Sequence, residues 1–135
     1  IALAQAANES GWGTSRFAKE GNALFGQWTY DNQKGLLPSE RIDGEKHLIK
    51  SFINLRQSVV SYMKNINSHQ AYKSFRETRA EFRDSNIPIN PIILVHELSP
   101  YAELPNYTNI LQLIIENNQL FIFDNIKLVD KNSLV

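Results

Sequence analysis

The chain has 135 residues, the usual size of one domain, and folding at that length buries roughly two-thirds of the unfolded surface, so one core is expected. Lysine plus arginine number 14 against 14 aspartate plus glutamate, which leaves no net field to hold nucleic acid or an anionic membrane by charge alone. Cysteine is absent, which excludes disulfide frameworks, cysteine zinc sites and thiol nucleophiles but leaves the compartment open; the longest apolar runs fall far short of the roughly 18 residues of a membrane helix.

A helical pattern is already running at Ile1, with no initiator methionine, basic leader or cleavage site before it. The chain is therefore expected to be one domain, 1–135, truncated at its N-terminus. Residues 1–11 read as a helix with Ala2, Leu3, Ala6, Ala7 and Ser10 on its apolar arc, Glu9 at the edge of that arc, and Gly11 or Gly13 as the stop. Thr14 or Ser15 caps a short helix ended by Gly21. From residue 23 to 52 the pattern turns to short β-prone runs: "LFGQWTY", the turn "DNQKG", then "PSERI" and "EKHLIKSF" joined by Asp43-Gly44, a favoured two-residue hairpin turn. Helices resume after Asn54, which with Gln57 three residues on forms a capping-box variant; Leu55, Val59, Tyr62, Met63 and Ile66 follow at helical spacing. Tyr72, Phe75, Arg79 and Phe82 mark the next helix. Asn90-Pro91 opens another, although Ile92, Ile93 and Val95 would also suit a strand, and Tyr107, Ile110, Leu111 and Ile114 mark one ending near Asn117 and Asn118. The tail "QLFIFDNIKLV" reads as extended chain or a loose hairpin. This order of elements implies an α+β fold, mainly α, with a small β-hairpin lobe inserted in a helical lobe and a cleft between them.

Several chemistries fail on spacing. Ser10 has no strand before it and Asn8 where a nucleophile elbow needs glycine, and Gly11 and Gly13 lack both the strand and the third glycine of a phosphate loop. His96-Glu97 begins like a zinc-binding HExxH, but Pro100 stands at the fifth position; His47 and His69 lie far off. All three histidines read as surface or hydrogen-bonded side chains, and no metal or cofactor is expected. Carboxylates remain. Glu9, if not simply a solvated residue at a helix end, sits where the macrodipole and apolar neighbours, Trp12 among them, raise a carboxyl's pKa. Glycoside hydrolysis needs such an acid together with a second carboxylate, for which Glu40 in "PSERIDG" is the candidate.

The block "AQAANESGWGTSRFAKEGNALFG" resembles the peptidoglycan-cleaving N-acetylglucosaminidases of glycoside hydrolase family 73, and within them the Bax-like bacterial proteins. It is similar to their "A-x-x-E-S-x-W-G-x-S" helix end followed by "N-x-L/W-F-G". A looser match runs through "PSERIDGEKHLIKSF", where the family has "T-x-E-x-x-x-G", and through "LSPYAELPNYTNIL". The chain departs from the pattern at Pro38-Ser39, in place of the hairpin threonine, and at Pro100, before the cleft tyrosine. The resemblance implies a lysozyme-like fold in a bacterial cell envelope, periplasmic or secreted. It implies Glu9 as catalytic acid, Glu40 as second carboxylate and Tyr101 as the cleft tyrosine, steadying an acetamido group or water.

The expected activity is hydrolysis of the β-1,4 bond after N-acetylglucosamine in peptidoglycan by a monomer, without nucleic acid or a membrane span. A lytic transglycosylase or muramidase acting on the same polymer and a non-catalytic glycan-binding module are the alternatives. Asn22, Phe25, Gly26, Trp28 and Tyr30 are the expected substrate-binding residues. Of the aromatics, Trp28 and Tyr30 suit sugar platforms, whereas Trp12 and Phe25 suit core packing as well.

Overall fold

The first element of the computed structural model, which describes residues 1–38 and 46–127, is helix α1 over Ala2–Ser10. Gly11 ends it at φ 56°, a left-handed conformation that glycine reaches without strain, and the Trp12 N–H then closes the end on the Ala7 carbonyl at 2.8 Å. The buried face of α1 is not the expected arc. Ala4, Gln5 and Ser10 point inward, while Ala2 and Leu3 face solvent. The reason is Gln5, a polar residue that can be turned inward because both ends of its amide find partners.

Helix α2, Arg16–Gly21, is capped by Ser15, whose hydroxyl accepts from the Ala18 N–H at 3.1 Å; its C-cap is left-handed Asn22, one residue past the expected stop. Among the described residues three short strands follow: β1 (Trp28–Thr29), β2 (Gly35–Leu36) and β3 (Leu48–Lys50). They form an antiparallel sheet in the order β1-β3-β2, with Trp28 opposite Ile49, and Gly35 opposite Lys50. Gly35 thus opens β2 rather than closing the preceding turn. That turn is shut one residue earlier, by Lys34 N–H to the Asp31 carbonyl at 3.0 Å. Glu40 and the Asp43-Gly44 turn lie outside the described residues.

Helix α3, Leu55–Ser68, starts on the Asn54 cap, whose side chain accepts from the Gln57 N–H at 3.0 Å. The Gln57 side chain reaches back to the Ile53 N–H at 3.3 Å, one residue before the cap, so the reciprocal box is stretched by one position. Here too the buried face differs from the apolar pattern. Ser58, Tyr62 and Ile66 are buried, while Leu55, Val59 and Met63 are exposed. Ser58 is satisfied by accepting from the Leu24 N–H at 3.2 Å, which ties the start of α3 to the chain entering the sheet.

A 3-10 turn, Gln70–Tyr72, leads into α4, Lys73–Asp84. Helix α5, Pro91–His96, is capped by Asn90 with proline in its first turn, as Asn-Pro predicts; a second 3-10 turn, Ser99–Tyr101, precedes α6, Tyr107–Asn117. The tail corrects the sequence reading. Leu120–Asn125 is a 3-10 helix, not extended chain, because Gln119 takes a left-handed φ of 51° and turns Leu120 back against the core.

The result is a mainly helical α+β fold with one small antiparallel sheet. Its core joins Ala4 of α1, Tyr62 and Ile66 of α3, Phe75 of α4, Leu94, Val95 and Leu98 in and after α5, and Tyr107, Leu111 and Ile115 of α6. Helix α6 packs on both α1 and α5, and so lies behind the residues at the end of α1.

Candidate active site

Glu9 stands in the last turn of α1, at the negative end of the helix. Burial pushes its carboxyl above the usual carboxylate range, and hydrogen bonds from Asn8 and Tyr107 offset part of that rise. Asn8 Nδ2 donates to Oε1 at 3.2 Å. The other oxygen, Oε2, lies against Gly26. A Cβ at that position would stand 2.8 Å from it and displace the carboxylate, and Gly26 also has φ 58°, a backbone conformation that favours glycine.

The surroundings of Glu9 are phenolic. Tyr101 and Tyr107 stack with ring centroids 5.8 Å apart and planes 4° from parallel, Tyr72 lies 5.8 Å from Tyr101, and Tyr62 meets Tyr101 edge-on at 6.4 Å. Burial raises the pKa of all four phenols, and the negative charge of Glu9 adds to the rise for Tyr72, Tyr101 and Tyr107. They therefore act as neutral hydrogen-bonding groups. Trp12, expected to pack and to desolvate Glu9, is instead 62% exposed, held outward by a left-handed φ of 57°. The tyrosines surround the carboxyl in its place.

A cleft of about 590 Å³ opens beside this cluster. One wall is residues 25–28, a second is 100–103, and Asn65, His69 and Tyr72 form the rest. Glu9 does not line the cleft; its carboxyl is backed by Gly26, which does. The Tyr101 hydroxyl donates to the Phe25 carbonyl at 2.8 Å and so links two walls. Phe25 is a core residue stacked on Tyr62 at 4.0 Å, yet it reaches the cleft from beneath.

The other expected binding residues divide. Trp28 lines the cleft, half-exposed, with its ring stacked on His47 at 4.0 Å. Tyr30 is exposed but outside the cleft wall, and the Asn22 amide is engaged with the Phe52 carbonyl at 3.0 Å, also outside it. His69 accepts from the Ala71 N–H and His96 contacts Gln112. Among the described residues no group of three or more metal-ligating side chains converges.

Tyr72 and Tyr107 complete the surroundings of Glu9, Gln5 and Tyr62 stand behind Tyr107 in a hydrogen-bonded row, and Glu103 places a carboxylate in the cleft wall. None stands out as a site residue by motif. Gln5 carries a legible signal, since a glutamine four residues before Glu9 shares its helix face, where an alanine-rich packing helix has no use for it.

The fold and site define a class before a family is compared: a mainly helical domain that holds a buried carboxyl beside an open, aromatic-lined cleft. The family model described as mannosyl-glycoprotein endo-beta-N-acetylglucosaminidase matches residues 1–120, and the chain belongs to this glucosaminidase family. Protein bax of Escherichia coli (strain K12) is 34% identical over 118 residues, which cover 87% of this chain and 41% of that protein. The chain thus spans about two-fifths of the length of that curated relative. No solved structure matches significantly.

Proposed function

We propose that the domain hydrolyses the β-1,4 bond after N-acetylglucosamine in bacterial peptidoglycan, with Glu9 as general acid. The observation that carries the reading is the desolvated Glu9 carboxyl, held above the usual carboxylate range among neutral tyrosines at the edge of the cleft. Family membership supports a role in glycan hydrolysis. With Asn8 donating to Oε1, the acidic proton belongs on Oε2, the oxygen beside Gly26 and the cleft. As the bond from the anomeric carbon to the glycosidic oxygen breaks, that proton passes to the leaving oxygen and positive charge develops on the sugar ring.

Water then adds to the anomeric carbon and gives up a proton. We assign Glu40 as base or charge stabiliser from the sequence match, with the substrate's own acetamido oxygen as the other nucleophile. Tyr101 gives its only proton to the Phe25 carbonyl, so toward the cleft it offers lone pairs suited to an acetamido N–H or to water. Trp28 offers the exposed flat face for a sugar ring. The setting proposed is the bacterial cell envelope, periplasmic or secreted, where the domain acts as a monomer; no helix among the described residues is long and apolar enough to cross a membrane.

Mass spectrometry of digested cell wall, before and after borohydride, tests the reaction. Fragments ending in reducible N-acetylglucosamine are expected. Anhydro-muramyl ends would establish a lytic transglycosylase instead, and reducing muramic ends a muramidase. Bound glycan without fragments would establish a binding module.

A further inference from the structure

We propose that Gln5 and Tyr107 are positioning residues for Glu9: the buried Gln5 amide fixes the Tyr107 hydroxyl in the sense that makes it a donor to the Glu9 carboxyl. Only the catalytic meaning of this arrangement rests on the reading of Glu9 as acid. Gln5 is fully buried, one helical turn before Glu9 on the same face of α1. Its two amide atoms are engaged differently. The Tyr62 hydroxyl donates to Oε1 at 2.6 Å, and Nε2 donates to the Tyr107 hydroxyl oxygen at 2.9 Å.

A phenol has one proton. Because the Tyr107 oxygen receives the Gln5 N–H, its own proton is left free for the neighbouring Glu9 carboxyl, one helical turn beyond Gln5. The chain therefore runs in one direction, from Tyr62 to Gln5 to Tyr107 to Glu9. Turning the amide over would reverse it. Oε1 would then capture the Tyr107 proton, Glu9 would lose a donor, and the Tyr62 proton would lose its acceptor in a residue only 3% exposed. The stacking of Tyr62 on Phe25 and of Tyr107 on Tyr101 holds both rings in place for the observed sense.

The consequence concerns acid strength. A donor to a carboxylate stabilises its charged form, so Tyr107 counteracts the desolvation that burial imposes on Glu9. The groups that face Glu9 from the packed elements are Asn8 on α1, Tyr72 and Tyr101 on the two 3-10 turns, and Tyr107 on α6; near neutrality none of them carries a charge. Hydrogen-bond direction, rather than a neighbouring ion among the described residues, is thus what tempers this acid.

The test is a carbon-13 NMR titration of the glutamate carboxyls in the 135-residue chain, with the Glu9 signal assigned by its loss in Glu9→Gln. Tyr107→Phe should move the Glu9 midpoint upward, Gln5→Met less, and Tyr62→Phe least. Midpoints that stay with the parent in folded Tyr107→Phe and Gln5→Met would overturn the proposal, because a merely structural role leaves the titration of Glu9 in place. Should Gln5→Met fail to fold, Tyr107→Phe and Tyr62→Phe, each lacking one oxygen, carry the test on the same criterion. The pH profile of peptidoglycan turnover in the same variants separates the two readings. An alkaline limb that follows the NMR midpoint supports both, whereas a limb that stays while the midpoint moves keeps the hydrogen-bond chain and removes Glu9 as the acid.

Discussion

The helical and sheet sides of the cleft are built on opposite principles. On the helical side polar groups are buried and paired in series, from Tyr62 through Gln5 and Tyr107 to Glu9. On the sheet side the strands are two or three residues long, and Trp28 and Tyr30 stand 56% and 73% exposed. Under the function proposed above, the contrast separates two tasks. Tuning an acid requires excluding water and fixing dipoles, which only a packed interior provides, whereas gripping a flat ring requires apolar faces left in water until a ligand covers them.

If that division holds, the largest effect belongs to Glu9. Glu9→Gln should lower cell-wall turnover by about 100- to 10,000-fold while the fold persists. The same variant tests the burial of the carboxyl by its melting temperature. The folded-state pKa of Glu9 lies above its unfolded value, so between the two the folded protein binds more protons and stability falls as pH rises through that window. Glu9→Gln should therefore melt higher than the parent above the window and show no such gain below the ordinary carboxylate range. Melting curves at acid and neutral pH, recorded beside lysis assays, check both halves; equal turnover in the variant would remove Glu9 from the chemistry.

Gly26→Ala probes the seam where the two sides meet. The added methyl would crowd Glu9 Oε2 at 2.8 Å on a backbone of φ 58°. A displacement of that kind should lower turnover about 10- to 100-fold, and the left-handed backbone should cost about 1–2 kcal/mol of stability. Paired kinetics and denaturant melts measure these, and wild-type turnover in the variant would show that the carboxyl needs no such exact backing.

The smallest change lies on the sheet side. Trp28→Ala should raise KM about fivefold, corresponding to ~1 kcal/mol of lost stacking, with kcat nearly unchanged. Tyr30→Ala, outside the cleft wall, should do less. Binding to soluble glycan fragments provides the measurement, and a fall in kcat on Trp28→Ala would mean that the sheet also positions the reacting bond.

Sequence patterning located the helices well and their inner faces badly. Asn54 and Asn90 announced their helices because a cap is a local event between a side chain and N–H groups two or three residues away. The inner faces of α1 and α3 were misjudged by reading alanine, leucine and valine as inward. Gln5 and Ser58 point inward instead, satisfied by partners as far as 102 positions away, which hydrophobic periodicity cannot register. Trp12 was misjudged for the opposite reason, a large apolar side chain turned outward by the backbone between two glycines. Glu9 and Tyr101 stood out as candidates from the helix-end position and the surrounding motifs, whereas Tyr62, Tyr72 and Tyr107 were visible only as apolar markers of helices. Tyr107 belongs to both the core and the candidate site because α6 packs on α1.

The Gln5–Tyr107 bond joins residues 102 positions apart, and the Tyr101–Phe25 bond joins residues 76 apart. Such contacts form only after long loops have closed, which makes them late events in the folding of a chain. Until α6 docks on α1, Glu9 lacks the surroundings that distinguish it from any solvated carboxylate. During synthesis Glu9 is made well before Tyr107, and it waits for α6 to acquire those surroundings. In the finished domain α6 packs on α5 as well as α1 and carries Tyr107, Leu111 and Ile115 of the core, so opening it would return Glu9 to water and breach the core together; the surroundings of Glu9 are as stable as the core itself.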